Sequence, residues 1–287
     1  MNKSQIKQKS FRILQGSVLL VFLGRAWQHL FWDAPFRTFF WDEENLKPII
    51  ENIFKWDWTA YVTSAQTDQF IQYSVIGFGV LYLICTILTL WWNPKSRFTK
   101  IVLVLGGIAL LFLAYLNMKE NFYRYGQFFE YAIQFSIPFV LVYYHKRWLQ
   151  RHIELILKLL VAVVFISHGL YAVGYYPIPG HFIGMIITIF GCSQDVAINF
   201  LLVAGILDFL VGIAIFIPKL KRYALIYACF WGLMTALARV VSGFYIDFIW
   251  QSIHQNLYET LYRLPHGLIP LMLLYMSSEK KKEATTN

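Results

Sequence analysis

Val21-Phe22-Leu23-Gly24-Arg25-Ala26-Trp27 and Val164-Phe165-Ile166-Ser167-His168-Gly169-Leu170 can be laid over one another. Each is an apolar segment interrupted at the same place by one titratable residue, Arg25 in the first and His168 in the second. The order of segments around them also repeats. Over residues 13–148 and again over 156–281, an apolar helix is followed by an outer amphipathic stretch, a second apolar helix ending in a basic hairpin, and two more apolar helices. Near the start of each fourth helix an acid precedes prolines, Glu130 before Pro138 and Glu259 before Pro265 and Pro270. Two similar units in one orientation imply a pseudo-two-fold axis along the membrane normal, with a shared site expected between them. The expected division is 1–148, with a long outer loop at 32–69, and 149–287, with a basic cytoplasmic tail.

Composition sets the solvent. With 58% hydrophobic residues, 18% aromatics and 14% charged residues, the chain does not carry enough polar side chains to cover a water-soluble domain. Apolar runs near the roughly 20 residues that cross a bilayer fall at about 11–31, 70–92, 100–118, 126–144, 153–174, 198–217 and 222–243, with a shorter eighth at 261–276. Backbone amides in hydrocarbon must bond internally, which admits only helices or closed barrels. The runs are continuous rather than alternating with period two, so the expected fold is an all-α membrane protein. It has about eight transmembrane helices as two parallel four-helix repeats, with amphipathic outer-face segments.

Charge placement gives an orientation. Lys3, Lys7, Lys9, Arg12, Lys95, Arg97, Lys100, Lys146, Arg147, Arg151, Lys158, Lys219, Lys221, Arg222 and Lys280, Lys281, Lys282 put 17 of the 25 Lys+Arg on one side. Only Glu154, Glu279 and Glu283 oppose them there. By the positive-inside tendency both termini and every basic hairpin are expected in the cytoplasm, across a bacterial-type inner (plasma) membrane. The formal charge of +9 is then a topology signal rather than a nucleic-acid footprint, since no basic stretch forms a soluble domain. The N-terminal apolar run contains Arg25 and His29 and lacks a small-residue cleavage site, so it is expected to remain as the first helix. Cys85, Cys192 and Cys229 are widely spaced and read as small packing residues.

The segment 32–69 is too long for a turn and mixes Trp32, Trp41, Trp56 and Trp58 with Asp33, Asp42, Glu43, Glu44 and Asp57. It is expected to form one or two short helices on the outer membrane surface, as interfacial anchors or as a lid. Its counterpart in the second half is Tyr175-Tyr176-Pro177-Ile178-Pro179-Gly180-His181 and the apolar stretch 182–190, which is too short to span alone.

An ionisable group inside a span costs about 2.5–3.5 kcal/mol on insertion scales, so it turns toward partners or internal water. Arg25, His29, Glu130, His168, Asp208, Arg239 and Glu259 are the candidates. Arg25 and His29, at i and i+4, share one helix face. Arg25 and Arg239 are expected to neutralise Glu130, Glu259 or Asp208, with the histidines exchanging protons beside them. Such a cluster suits a quinone headgroup, a small anion or a transferred proton. It equally suits inert ion pairs that hold helices in register. His181, His254 and His266 lie toward the outer side, and no histidine pair has a spacing that selects haem. His-x-x-His and Glu-x-x-His metal motifs are absent from the spans, as are phosphate-binding glycine loops.

Lys158-Leu159-Leu160 through Phe165-Ile166-Ser167-His168-Gly169-Leu170, followed by Gly205-Ile206-Leu207-Asp208 and Gly212, resembles the opening of DoxX-like four-helix membrane proteins. The second half carries the likeness best, and the first departs from it with Arg25 in place of His168 and with its long aromatic loop. The resemblance implies a compact four-helix unit, here duplicated, in a family associated with quinone-linked oxidation of small sulfur compounds. Three roles stand on the sequence. One is support of a redox process with a quinone or other lipophilic molecule in an inter-repeat cavity. The second is a small-solute or proton-coupled transporter using Glu130 or Glu259, and the third is a non-catalytic partner that assembles other membrane proteins.

Overall fold

The computed structural model describes residues 3–286, with side chains at 5 and 7–277; Lys3 and the basic tail side chains Lys280, Lys281 and Lys282 lie outside the described residues. The described chain is helical, with no strand among the described residues. It runs through α1 (Lys3–Phe31), α2 (Arg37–Phe40), α3 (Glu43–Asn52), α4 (Trp58–Thr63), α5 (Ala65–Leu90), α6 (Arg97–Glu120) and α7 (Tyr125–Phe129). After these come α8 (Ala132–Tyr143), α9 (Arg147–Ala172), α10 (Gly180–Phe190), α11 (Gln194–Ala214), α12 (Lys221–Ser242), a 3-10 turn (Ile246–Phe248), α13 (Ile249–Arg263) and α14 (Pro265–Thr286).

Five of these, α5, α6, α9, α11 and α12, are long and apolar enough to cross a membrane. Length and apolarity alone therefore give fewer spans than the sequence reading. The reasons are local. α1 carries a basic first third and then Arg25 and His29, and the 12 residues of α8 extend only about 18 Å at 1.5 Å per residue. The five are apolar on more than their inward faces. Ile76, Val80, Leu83, Ile84 and Ile87 of α5, and Val203, Ile206, Leu210 and Ile213 of α11, point out of the molecule. A helix with that outward surface requires hydrocarbon around it.

α1 runs through the centre. Leu14, Val18, Val21 and Phe22 are fully buried at i, i+4, i+7 and i+8, one continuous stripe, against which α5, α8, α13 and α14 pack. Gly24 makes the α13 contact: a Cβ there would lie 2.6 Å from the Tyr258 carbonyl oxygen and 2.9 Å from the Tyr262 nitrogen. Trp27 Nε1 donates to His254 Nδ1 at 2.8 Å and fixes the same pair of helices. The second half packs around α9, which meets α11, α14 and α8, while α12 rests on α13 and α14.

At the end of the bundle opposite the basic hairpins, residues 32–69 form three short helices rather than one or two. Each break has a cap: Asp42 accepts from Asn45 N, Asp57 from Ala60 N and Ser64 from Gln66 N. Asp42 also binds Lys119 at the last turn of α6. This tie holds its carboxyl below the usual aspartate value, because bonds from Lys119 and Asn45 outweigh the opposing effect of burial. Trp58 is buried, whereas Trp32, Trp41 and Trp56 stay exposed, as an interfacial belt requires. α10 is short, as its sequence implies, and ends on Gly191 at φ +62, a left-handed cap that turns the chain into α11.

Candidate functional site

Two polar clusters form where the helices converge at this aromatic end. The first surrounds Arg25. Its Nε and Nη2 donate to Gln134 Oε1 at 3.2 and 2.7 Å, and Nη1 donates to Gln28 Oε1 at 2.7 Å. The guanidinium carbon lies 3.7 Å from the Tyr262 ring centre and 5.0 Å from that of Tyr131. No carboxylate lies within 4.0 Å of it among the described residues. The expected ion pair to Arg25 is thus replaced by amide oxygens and two aromatic faces. Those partners compensate the cation without burying an opposite charge. His29 Nδ1 lies 2.8 Å from the Arg25 carbonyl oxygen. A carbonyl only accepts, so Nδ1 carries the proton and Nε2 is left as an acceptor. That Nε2 and the neighbouring Tyr82 hydroxyl are both buried without a partner among the described residues, with ring centres 5.0 Å apart.

The second cluster joins the two halves of the chain. Glu130, in the turn between α7 and α8, accepts from Arg263 Nη2 at 3.4 Å and from Gln127 Nε2 at 3.2 Å, and its Oε2 lies 3.8 Å from His168 Nδ1. His266 packs its ring edge-on to His168 at 5.8 Å. Its Nδ1 lies 2.8 Å from the Arg263 carbonyl oxygen and its Nε2 lies 3.2 Å from that of Glu130. Both neighbours are acceptors, so the Nε2 contact becomes a hydrogen bond only when the ring holds its second proton. Arg239 Nε donates to Glu259 Oε2 at 2.7 Å and Nη1 to the Thr235 carbonyl at 3.1 Å.

A cavity of about 350 Å³ opens beside this second cluster. His168, Asp208, Trp231, Arg239, Arg263 and His266 are among its lining residues, with the His266 backbone beside Gly232, and the rest of the wall is largely apolar. Ala172 and Ala204 leave the space, since larger side chains there would fill it. Ile189 and Phe190 of α10, with Phe230, Met234, Leu237 and Val241 of α12, line the cavity and are also exposed on the outer flank of the bundle. The mouth therefore faces sideways, between α10 and α12, toward the surface that the apolar helices present to lipid.

Of the sequence candidates, His168, Asp208 and Arg239 line the cavity, and Glu130 and Glu259 stand behind it as partners of its arginines. Arg25 and His29 lie in the first cluster and do not reach it. All its lining residues come from the second half of the chain, whereas the sequence reading expects a site shared by both halves. Asp208 pairs with no cation among the described residues; its carboxyl lies near the Trp231 indole, and Oδ1 is buried without a partner. Nor do Glu130 and Glu259 occupy equivalent places: Glu130 lies just ahead of α8, whereas Glu259 is inside α13. Arg263, which sequence reasoning missed, holds the position two residues ahead of α14 that Glu130 holds ahead of α8. Arg263-Leu264-Pro265 at a helix start was the available signal. Among the described residues no three of His, Cys, Asp and Glu gather as a metal site requires. No family model, curated protein or solved structure matches the chain.

Proposed function

We propose that this is a DoxX-like, eight-pass protein of a bacterial-type inner membrane, with both termini cytoplasmic. In this reading it receives a lipophilic small molecule from the bilayer in support of a redox process. The duplicated unit is supported by matched packing. α1 lies on α5 as α9 lies on α11, α6 on α8 as α12 on α14, and α1 on α8 as α9 on α14. Gly79 makes room for His29 and Leu30, and Gly205 for Ala172 and Val173, at corresponding points of the two halves. On this overlay His29 and Tyr82 of the first unit stand where Ala172 and Asp208 of the second border the cavity. Counting α1, α8 and α14 as crossings keeps every basic hairpin on one side, which supports the orientation.

The observation that carries the ligand reading is the cavity's build, with guanidiniums and imidazoles set in apolar walls and a mouth on the lipid flank. A quinone, the class the family resemblance implies, fits that chemistry because its carbonyls need donors and Arg263 retains a buried Nε without a partner. When bound it would supply two-electron, two-proton carrier chemistry. The chain's own part is to hold the carbonyls at Arg263 and Arg239, to exclude water with the aromatic end, and to keep exchangeable protons on His168 and His266. Solvent extraction of the purified protein tests this. A lipophile is expected from the wild type and is expected to be depleted from Ala204→Phe, whose added ring fills the cavity; equal recovery from both, or none from either, rejects the reading.

A transport role for the same cavity is favoured by one observation. Glu154 binds Lys158 at 3.0 Å and Lys221 at 3.1 Å at the basic end, and Arg239 binds Glu259 at the opposite end of α12, so breakable ion pairs stand at both ends of that helix. Proton-driven uptake into proteoliposomes that Glu130→Gln abolishes would select this role.

A further inference from the structure

We infer that the molecule held in this cavity is polar at two ends, with a hydrogen-bond-accepting or anionic group at Arg239 and Arg263 and a hydroxyl that donates to Asp208. The inference rests on the cavity being a ligand site and narrows the class of ligand.

The first pole follows from which members of the ion pairs face inward. Arg239 and Arg263 line the cavity, whereas their carboxylates, Glu259 and Glu130, do not. The wall at that pole therefore offers cationic donors, one with an unpartnered buried Nε. The second pole is Asp208. It is 3% exposed and lines the cavity, and its Oδ1 has no partner although the Trp231 indole lies near the carboxyl. A buried acceptor left unbonded costs on the order of 1–3 kcal/mol, and hydrocarbon supplies no water to relieve it. A donor on the ligand would.

α12 gives an upper bound on the separation of the poles, since Arg263, three residues ahead of His266, lies nearer to Trp231 than Arg239 does. Trp231, beside Asp208, and Arg239 both line the cavity eight residues apart, which is about 12 Å along a helix. Between them the hydroxyl of Thr235 is already given to the Trp231 carbonyl at 2.9 Å, so the interval offers an apolar chain little to bond. An extended chain of up to roughly ten carbons fits within that bound, with C–C bonds of about 1.5 Å in zigzag. An acyl chain with an acid at one end and a hydroxyl at the other reaches both.

Binding to the protein in nanodiscs, corrected for partition into empty nanodiscs, tests this with 10-hydroxydecanoic acid, decanoic acid and a short-tailed benzoquinone. The hydroxy acid is expected to bind the wild type about tenfold more tightly than decanoic acid, the effect of one added hydrogen bond to a buried carboxyl. Asp208→Leu should erase that difference, and Asp208→Asn, which keeps an acceptor oxygen, should reduce it. Equal binding of the two acids by the wild type, or a preference that survives Asp208→Leu, overturns the inference. Should benzoquinone or decanoic acid bind without any hydroxyl preference, the ligand cavity stands and only the second pole falls. If none of the three binds, the ligand reading itself fails.

Discussion

Arg263 and Glu130 stand 133 residues apart in the chain and meet at 3.4 Å inside the bundle, with side chains 11% and 5% exposed. The contact ties the start of α14 to the start of α8 and sets the wall from which Arg263 and His266 face the cavity. Removing one member leaves a buried charge uncompensated. Glu130→Ala is expected to cost about 3–5 kcal/mol, and Glu130→Ala combined with Arg263→Met to cost less than Glu130→Ala alone. Denaturant unfolding in detergent checks this, and additive costs would show that the two side chains do not interact.

Arg25 is held by geometry that lysine cannot copy. A guanidinium stacks on Tyr262 while serving Gln134 and Gln28 in its plane. Arg25→Lys, although it keeps the charge, should therefore destabilise by about 1–2 kcal/mol through the lost stacking and paired bonds. A melting temperature equal to wild type would contradict the arrangement.

Gly24 and Gly16 share α1 but not its neighbours. Valine at 24 would collide with the α13 backbone, whereas nothing lies within 4 Å of a Cβ at 16. Gly24→Val is expected to lose about 1–3 kcal/mol or more from overpacking, with Gly16→Val near neutral. The comparison is read by thermal unfolding of the two variants side by side.

Asp42 anchors the short helices to α6 through Lys119. Because its carboxyl is held below the ordinary value, this stabilisation is fully present above about pH 4 and is lost as the pH falls through the lowered value. Hydrogen exchange over α3 should accelerate in that acid range. Lys119→Ala should bring the same acceleration at neutral pH, a loss of about 1.5–3 kcal/mol for a bond to a charged group. Exchange that ignores both changes would separate α3 from this tie.

The membrane class was legible because α5 and α11 are apolar on all sides, a property of composition that no tertiary contact alters. Asp208, His168 and Arg239 were legible as costly groups in apolar runs, and the structure sets them around one cavity. The cavity was not. It arises from the small side chains Ala172 and Ala204 and from how α10 lies against α12, both of which are tertiary facts. Arg263 escaped because it stands at the edge of the short apolar run 261–276, where an arginine ordinarily reaches out to water; its burial comes from the packing of α13 on α1 and α12. The partner of Arg25 was misjudged for a related reason. Sequence shows which charges need compensation, but amide and aromatic faces can supply it as well as a carboxylate.

The central claim is that the cavity communicates with the bilayer between α10 and α12. A photoreactive azidoquinone incorporated in nanodiscs with the protein, followed by peptide mapping, tests it directly. Adducts are expected to concentrate on Met234 and Leu237 of α12 and Ile189 of α10, and to diminish in Ala204→Phe. Labelling spread evenly over the outward apolar faces of α5 and α11, unchanged by that substitution, would contradict it.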